Sequence, residues 1–223
     1  MVMPSVCVTG STQGIGFAIA EAFARSGARL IINAHEADTS AAAKLGELTE
    51  CHFVQADLST AAGAEYLIEQ AHEKLGSLDV LVNNAGTFTD TEFGALSEQM
   101  FDRAFNLNVK GYLFAAQAFA AKVKPDQQGA SIICIGSTNS LVAEKNSVIY
   151  DSSKGAILMM VRSLAVSLAS RGIRVNGIGP GIVETPLTAA GLDQGDTRAV
   201  LRSQIPLGRI AQPEDVAGAA LFL

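Results

Sequence analysis

"SVCVTGSTQGIGFAIAEAFARSG", residues 5–27, runs from a short apolar segment through a glycine-spaced turn into a helical stretch. It predicts a strand over 5–10 and a helix over 15–26. Between them, Gly10, Gly14 and Gly16 in "TGSTQGIG" permit a tight turn and a close backbone approach to a pyrophosphate, while the helix N-terminus offers N–H donors and a favourable dipole. Glycines in a strand-to-helix turn can also serve geometry alone. Their place directly after the first strand favours the dinucleotide reading.

Outward from this unit, strand-like runs recur at 29–34, 52–57, 79–86, 131–137 and 174–181. Most are apolar through their centres rather than alternating, as are strands of a parallel sheet covered by helices on both faces. Helical patterns fall between them at 40–47, 60–75, 97–122 and 149–171. This alternation predicts a doubly wound α/β sheet, the Rossmann fold, in which ligands bind beyond the carboxyl ends of the strands where strand order reverses. With no linker or internal repeat, residues 1–223 are expected to form a single domain. Residues 183–203 break the rhythm as a polar, Thr- and Gly-containing excursion, expected to be a loop that covers the substrate.

At 223 residues and 48% hydrophobic composition, the chain can bury one substantial core. A net charge of -6 and the absence of any long Lys/Arg run argue against nucleic acid or an anionic membrane as partner, which leaves a small molecule. No basic segment followed by an apolar one precedes the first strand, and no apolar stretch reaches about 18 residues, so a cytoplasmic location is expected. Cys7, Cys51 and Cys134 are widely spaced and read as structural thiols. His35, His52 and His72 form no zinc pattern, and no metal is expected.

Chemistry is suggested first by "VIYDSSKGA", residues 148–156, where Tyr150 and Lys154 stand four apart. On a helix these positions share a face, so the lysine ammonium could favour a phenolate and lower a tyrosine pKa that is ordinarily about 10. A solvated lysine on an amphipathic helix would give the same spacing. At the end of the fourth strand, "NNAG", residues 83–86, can either brace a turn through asparagine side chains or leave room for a ribose.

Together, "TGSTQGIG", "NNAG", Asn108 in "NVKG", Ser137 in "IGS", Tyr150 and Lys154 in "YDSSK", and "PGIVETP" at 180–186 resemble the short-chain dehydrogenase/reductase family, in its order and spacing and across the whole chain. The likeness extends to 3-oxoacyl-carrier-protein reductase-like and sugar or polyol dehydrogenase-like members. It implies an NAD(P)-dependent oxidoreductase that transfers hydride between the nicotinamide and a ketone or secondary alcohol. Tyr150 would be general acid or base, Ser137 a hydrogen-bond donor to the substrate oxygen, Lys154 a partner of phenolate and ribose, and Asn108 the holder of a water relay to Lys154. The cofactor would be held by Gly10, Ser11, Thr12, Gln13, Gly14, Ile15, Gly16, His35, Asp57, Leu58, Asn83, Ala85, Gly86, Tyr150, Lys154, Pro180, Gly181, Val183 and Thr185. Asp57 could also cap the helix at 60. Residues 139–149 and 187–203, including Asn139, Leu141, Glu144 and Leu187, would line the substrate pocket.

One position departs from the family pattern. Where NAD-preferring members end the second strand with an aspartate, this chain has Ala34, followed by His35 and Glu36. NADP is thereby favoured over NAD, by a narrow margin. In the family a further strand follows the helix that begins near Pro213. Its absence predicts a six-stranded sheet with 174–178 at an edge, apolar surface around Ala219, Leu221 and Phe222, and a homodimer or higher homo-oligomer. The competing reading is a catalytically idle dinucleotide-binding sensor or scaffold, which would have no need of the proton donor Tyr150.

Overall fold

The six apolar runs pair side by side. In the computed structural model, which describes residues 3–223, the strands are β1 (Ser5–Val8), β2 (Arg29–Ala34), β3 (Cys51–Gln55), β4 (Val80–Asn83), β5 (Ser131–Ile135) and β6 (Arg174–Ile178). All pairings are parallel, in the order β3-β2-β1-β4-β5-β6, which puts β6 at an edge as expected. Parallel neighbours require crossovers, and helices supply them: α1 (Gly14–Arg25), α2 (Ser40–Gly46), α3 (Ala61–Leu75), α4 (Glu98–Phe105), α5 (Gly111–Lys122) and α6 (Val148–Leu168).

Each strand sends alternate side chains to two apolar layers. Cys7, Ile31, Leu81 and Ile132 face Leu67, Ile68, Phe119 and Ile157 of α3, α5 and α6. Val6, Val8, Leu30, Ile32 and Ile133 face Ile19, Phe23 and Leu45 of α1 and α2. Burying a side chain such as Ile31 or Phe119 contributes about 1.5–3 kcal/mol, so both faces must be covered for the sheet to persist. The strands are accordingly apolar through most of their length, with polar residues such as Ser5, Arg29, Ser131 and Arg174 at their first positions. Burial pushes the Cys7 and Cys134 thiols up to about 12, in keeping with structural roles.

Three local readings change. The strand runs predicted to extend to 57, 86, 137 and 181 stop earlier, at Gln55, Asn83, Ile135 and Ile178, and the residues beyond them form the loops of the cavity described below. Residues 183–203, expected as a loop, contain α7 (Pro186–Leu192) and most of α8 (Thr197–Gln204); Pro186 at the first turn and reciprocal bonds between Thr185 and Thr188 start α7. The helix expected over 97–122 widens into a π turn at Asn106–Lys110 between α4 and α5. The helix near Pro213 forms as α9 (Pro213–Phe222), packing Val216 and Ala220 on the α1 layer.

Candidate active site

Strand order reverses between β1 and β4, and the loops leaving these strands diverge there. The resulting cleft has a volume of about 650 Å³, within the range of a cofactor site. Its floor is the first turn. Gly10 and Gly14 have φ of +57° and +56°, which favour glycine, and a Cβ on Gly10 would lie 2.8 Å from Ala85 Cα. A Cβ on Gly14 would point at Thr185 Cβ, 3.4 Å away, so its absence keeps the wall beside α7 clear. This glycine-lined helix start suits a pyrophosphate.

Thr12, Gln13, Gly14 and Ile15 line the cleft with Gly10, but Ser11 and Gly16 are turned away from it. Ser11 is fully buried, its hydroxyl donating to Val8 O and accepting from Asn33 N–H at 3.0 Å. Gly16 is needed for packing, since a Cβ there would lie 2.3 Å from Gly10 O and 2.5 Å from Asn84 Nδ2. Gly16→Ala is therefore expected to lower both the melting temperature and dinucleotide affinity. Thermal melts and a fluorescence titration check this; an unperturbed variant would show that the loop yields without cost.

The two asparagines of "NNAG" divide the roles proposed for the pair. Asn83 lies at the end of β4 with its side chain inside, donating to Tyr112 O at 3.1 Å, and does not line the cleft. Asn84 does, and its Nδ2 also bonds Thr9 O and Gly10 O, both at 2.9 Å. Thr9 Oγ1 in turn accepts the N–H groups of Asn84 and Ala85. The turn is thus braced to the first glycine loop, with Ala85 and Gly86 on its cleft side.

Asp57 and Leu58 form the wall beyond β3. Asp57 accepts Ser59 N–H at 2.9 Å, which lowers its pKa, while the cap of α3 is Thr60, whose hydroxyl accepts Gly63 N–H. The capping role considered for Asp57 therefore belongs to Thr60. His35 lies nearby on the wall but is accompanied by Glu36 and Asp38, so its imidazole is flanked by two carboxylates. On the opposite side Pro180, Gly181, Val183 and Thr185 line the cleft as expected, joined by Pro186, Leu187 and Thr188.

Ser137, Tyr150 and Lys154 share this cleft. Ser137 follows β5, while Tyr150 and Lys154 lie on the first two turns of α6. The Lys154 ammonium is 5.6 Å from the centre of the Tyr150 ring and donates to Ile135 O at 3.0 Å. Lys154 is nearly inaccessible, and desolvation lowers its pKa to about 8. The helix pair is thus no solvated surface feature. Its effect on Tyr150 differs from expectation: burial raises the phenol's pKa, Asp151 and Glu144 raise it further, and only the Ser137 hydrogen bond opposes them. The ammonium is directed at Ile135 O, and desolvation dominates.

Asn108 lies beneath the cleft rather than on its wall. Its Oδ1 accepts Thr87 N–H at 2.8 Å, and Nδ2 donates to Thr87 O and Ser153 Oγ, both at 3.0 Å. Ser153 donates onward to Tyr150 O at 2.7 Å, so Asn108 ties the π turn to the tyrosine's helix. Both side-chain protons are committed to protein partners. Any relay would have to begin at the main chain.

The sequence reading did not single out Asn84, Thr87, Arg103, Leu107 or Asp38 as cofactor-site residues, yet all line the cleft. Asn84 was within a quoted motif; Arg103 and Leu107 carry no local signal because a helix brings them in.

A glycine-floored cleft at a strand-order reversal, with a buried ammonium and a phenol at one end, defines a dinucleotide-site architecture. The family model described as enoyl-(acyl carrier protein) reductase matches residues 10–223. An uncharacterized oxidoreductase of Methylorubrum extorquens is 40% identical over 221 residues, covering 97% of this chain and 88% of that protein. The L-rhamnose 1-dehydrogenase (NAD(P)(+)) of Azotobacter vinelandii is 34% identical, covering 98% and 88%. A short-chain type dehydrogenase/reductase from Mycobacterium marinum superposes with a TM-score of 0.93 at 29% identity, covering 99% of this chain and 87% of that one. The chain belongs to the short-chain dehydrogenase/reductase family of NAD(P)-dependent oxidoreductases. Among the described residues, no helix is long and apolar enough to cross a membrane.

Proposed function

We propose that this protein transfers hydride between NAD(P) and a ketone or secondary alcohol, with Tyr150 as the proton-transfer group. The observation that carries this reading is that Ser137, Tyr150 and Lys154 line the same cleft as Gly10 and Gly14 of the first turn. The residues fit the cofactor. Lys154 has one protein acceptor for three N–H donors and lies on the cleft wall, an arrangement suited to ribose hydroxyls. The nicotinamide supplies or accepts the hydride.

The protein's part is proton transfer and charge stabilisation. In ketone reduction Tyr150 gives its proton to the substrate oxygen as Ser137 donates a hydrogen bond to it; in oxidation the phenolate removes the alcohol proton. Ser137 is the group that favours the phenolate, Lys154 offers its remaining N–H donors to the cofactor ribose, and Asn108 holds the helix segment carrying Tyr150 in register through Ser153. Leu187, with Ser137, bounds the space left for the substrate.

The test is a panel of sugars, polyols, hydroxy acids and ketones with each dinucleotide, followed at the reduced-nicotinamide absorbance band. Turnover of at least one compound, lost in Tyr150→Phe, supports the reading; dinucleotide binding with no turnover across the panel favours the idle sensor or scaffold. Cofactor choice has its own check. Ala34 lies on the cleft wall beside His35, and Ala34→Asp would place a carboxylate where it can accept ribose hydroxyls and repel a 2′-phosphate. The ratio of kcat/KM for NAD to that for NADP is expected to rise about tenfold or more. An unmoved ratio would mean that the adenosine ribose does not reach the end of β2.

A further inference from the structure

We propose that Asp151 is a positioning residue for this reaction, holding the Ser137 hydroxyl, through Asn139, in the orientation that donates to the substrate oxygen. The inference rests on the hydride-transfer reading above. Asn139 follows Ser137 by two residues and touches it twice: its main-chain N–H donates to Ser137 Oγ at 3.1 Å, and its Oδ1 is 3.4 Å from the same oxygen. The other end of the amide faces carboxylates. Nδ2 donates to Asp151 Oδ1 at 2.7 Å and to Glu144 Oε2 at 3.2 Å.

This arrangement has one stable sense. Ionised carboxylates only accept hydrogen bonds, so the amide must turn its NH₂ to Asp151 and Glu144 and its oxygen to Ser137. Ser137 Oγ then has an acceptor site filled by the Asn139 N–H, while its own proton lies toward Asn139 Oδ1 in a contact long enough to be surrendered. A hydroxyl whose acceptor face is occupied and whose donor bond is weak is prepared to donate. Flipping the amide would aim a second donor at Ser137 and oppose that state.

Asp151 is the stronger anchor of the two carboxylates. Its bond to Asn139 is shorter, and its Oδ2 accepts Glu144 N–H at 2.9 Å, fixing the segment that follows Ser137 to the first turn of α6. Although next to Tyr150 in sequence, it lies on a different face of the helix, so it acts through Asn139 rather than by touching the phenol. A purely structural clasp would use the same bonds, and the experiment must separate the two.

The test is a double-mutant cycle of Asp151→Asn and Asn139→Ala, read two ways. With a substrate found by the panel, each single variant is expected to lower kcat about tenfold with the dinucleotide KM unchanged, and the double variant to be no slower than the worse single. Effects that multiply would overturn the proposal, as would a single variant of wild-type kcat.

The second readout needs no turnover: phenolate absorbance of the dinucleotide-free protein against pH, with Tyr150→Phe subtracting Tyr66 and Tyr112. The groups bearing on Tyr150 are Asp151 and Lys154 from its own helix, Glu144 from the preceding segment, Ser137 after β5 and Tyr112 from α5. Removing the Asp151 charge lowers the midpoint directly, and loss of the Ser137 orientation raises it. The net shift caused by Asp151→Asn is therefore expected to differ according to whether Asn139 is intact or already replaced in the Asn139→Ala variant. Equal shifts in both overturn the proposal even if no panel compound is turned over, which would sink only the activity reading. Should Asp151→Asn fail to fold, Asp151→Glu, which keeps the charge and displaces it, takes its place in the cycle.

Discussion

Replacing Tyr150 by phenylalanine is expected to lower turnover about 10²–10⁴-fold while leaving dinucleotide affinity unchanged. The substitution keeps the ring, which meets Phe88 edge-on at a centroid distance of 4.9 Å, and removes only the oxygen that carries the proton. The raised pKa of this phenol sharpens the expectation by direction of reaction. A phenol held above 10 is protonated at neutral pH, the state needed to reduce a ketone. Oxidation requires the phenolate, so its rate in the wild-type protein should climb as pH rises into the alkaline range, while reduction falls there. Initial rates in both directions from neutral to alkaline pH give the comparison. Turnover within about twofold of wild type in the phenylalanine variant would remove Tyr150 from the mechanism.

The sheet was legible because burial on both faces leaves a plain record: β1, β2 and β5 are apolar through their centres, and the glycine turn follows the first of them. Helix spacing put Tyr150 and Lys154 on one face, while Ser137 and the roles of all three were suggested only by the family resemblance. What escaped was orientation. Asn83 and Asn84 are adjacent, and which of them faces the cleft depends on where β4 stops; the strand continues through Asn83, so strand alternation turns that side chain toward Tyr112 and leaves Asn84 at the loop. Ser11 escaped similarly, drawn inward by Asn33 across the β1–β2 pairing. The π turn at Asn108 could not be read from spacing at all, because the bonds that stabilise it come from Thr87 and Ser153 on separate elements. Arg103 reaches the cleft from α4 and Leu107 from the π turn that follows it. The sign of the Tyr150 shift depended on burial and on where the lysine ammonium points, neither of which a sequence interval contains.

Lys154→Met should abolish most of the activity and yet stabilise the free protein. The ammonium is buried with a single protein acceptor, and its pKa falls from 10.5 to about 8, a penalty of roughly 3 kcal/mol on the charged form. Methionine fills similar space without that charge. Ile135 O, the acceptor it abandons, keeps the Tyr112 hydroxyl at 3.3 Å, so the net gain below pH 8 is expected to be about 2 kcal/mol. The sign with pH follows from proton counts. Below about 8 folded and unfolded chains both hold the proton and the wild type carries the full cost. Between about 8 and 10.5 the unfolded chain binds more protons, so wild-type stability rises with pH and the gap to the variant closes. Urea unfolding of both proteins at about pH 7 and about pH 10 measures this gap; a variant less stable than wild type at neutral pH would refute the desolvation argument. Dinucleotide affinity should fall about tenfold or more, since the charge-assisted donors offered to the ribose are gone, and turnover should fall with it because the nicotinamide ribose is no longer held beside Tyr150. An unchanged dinucleotide titration would remove Lys154 from the ribose site. The opposed signs carry the argument: a group kept only for packing would not be retained as a buried cation at a cost in stability, whereas a ligand-binding group can be, because its compensation comes from the bound cofactor and the reacting oxygen.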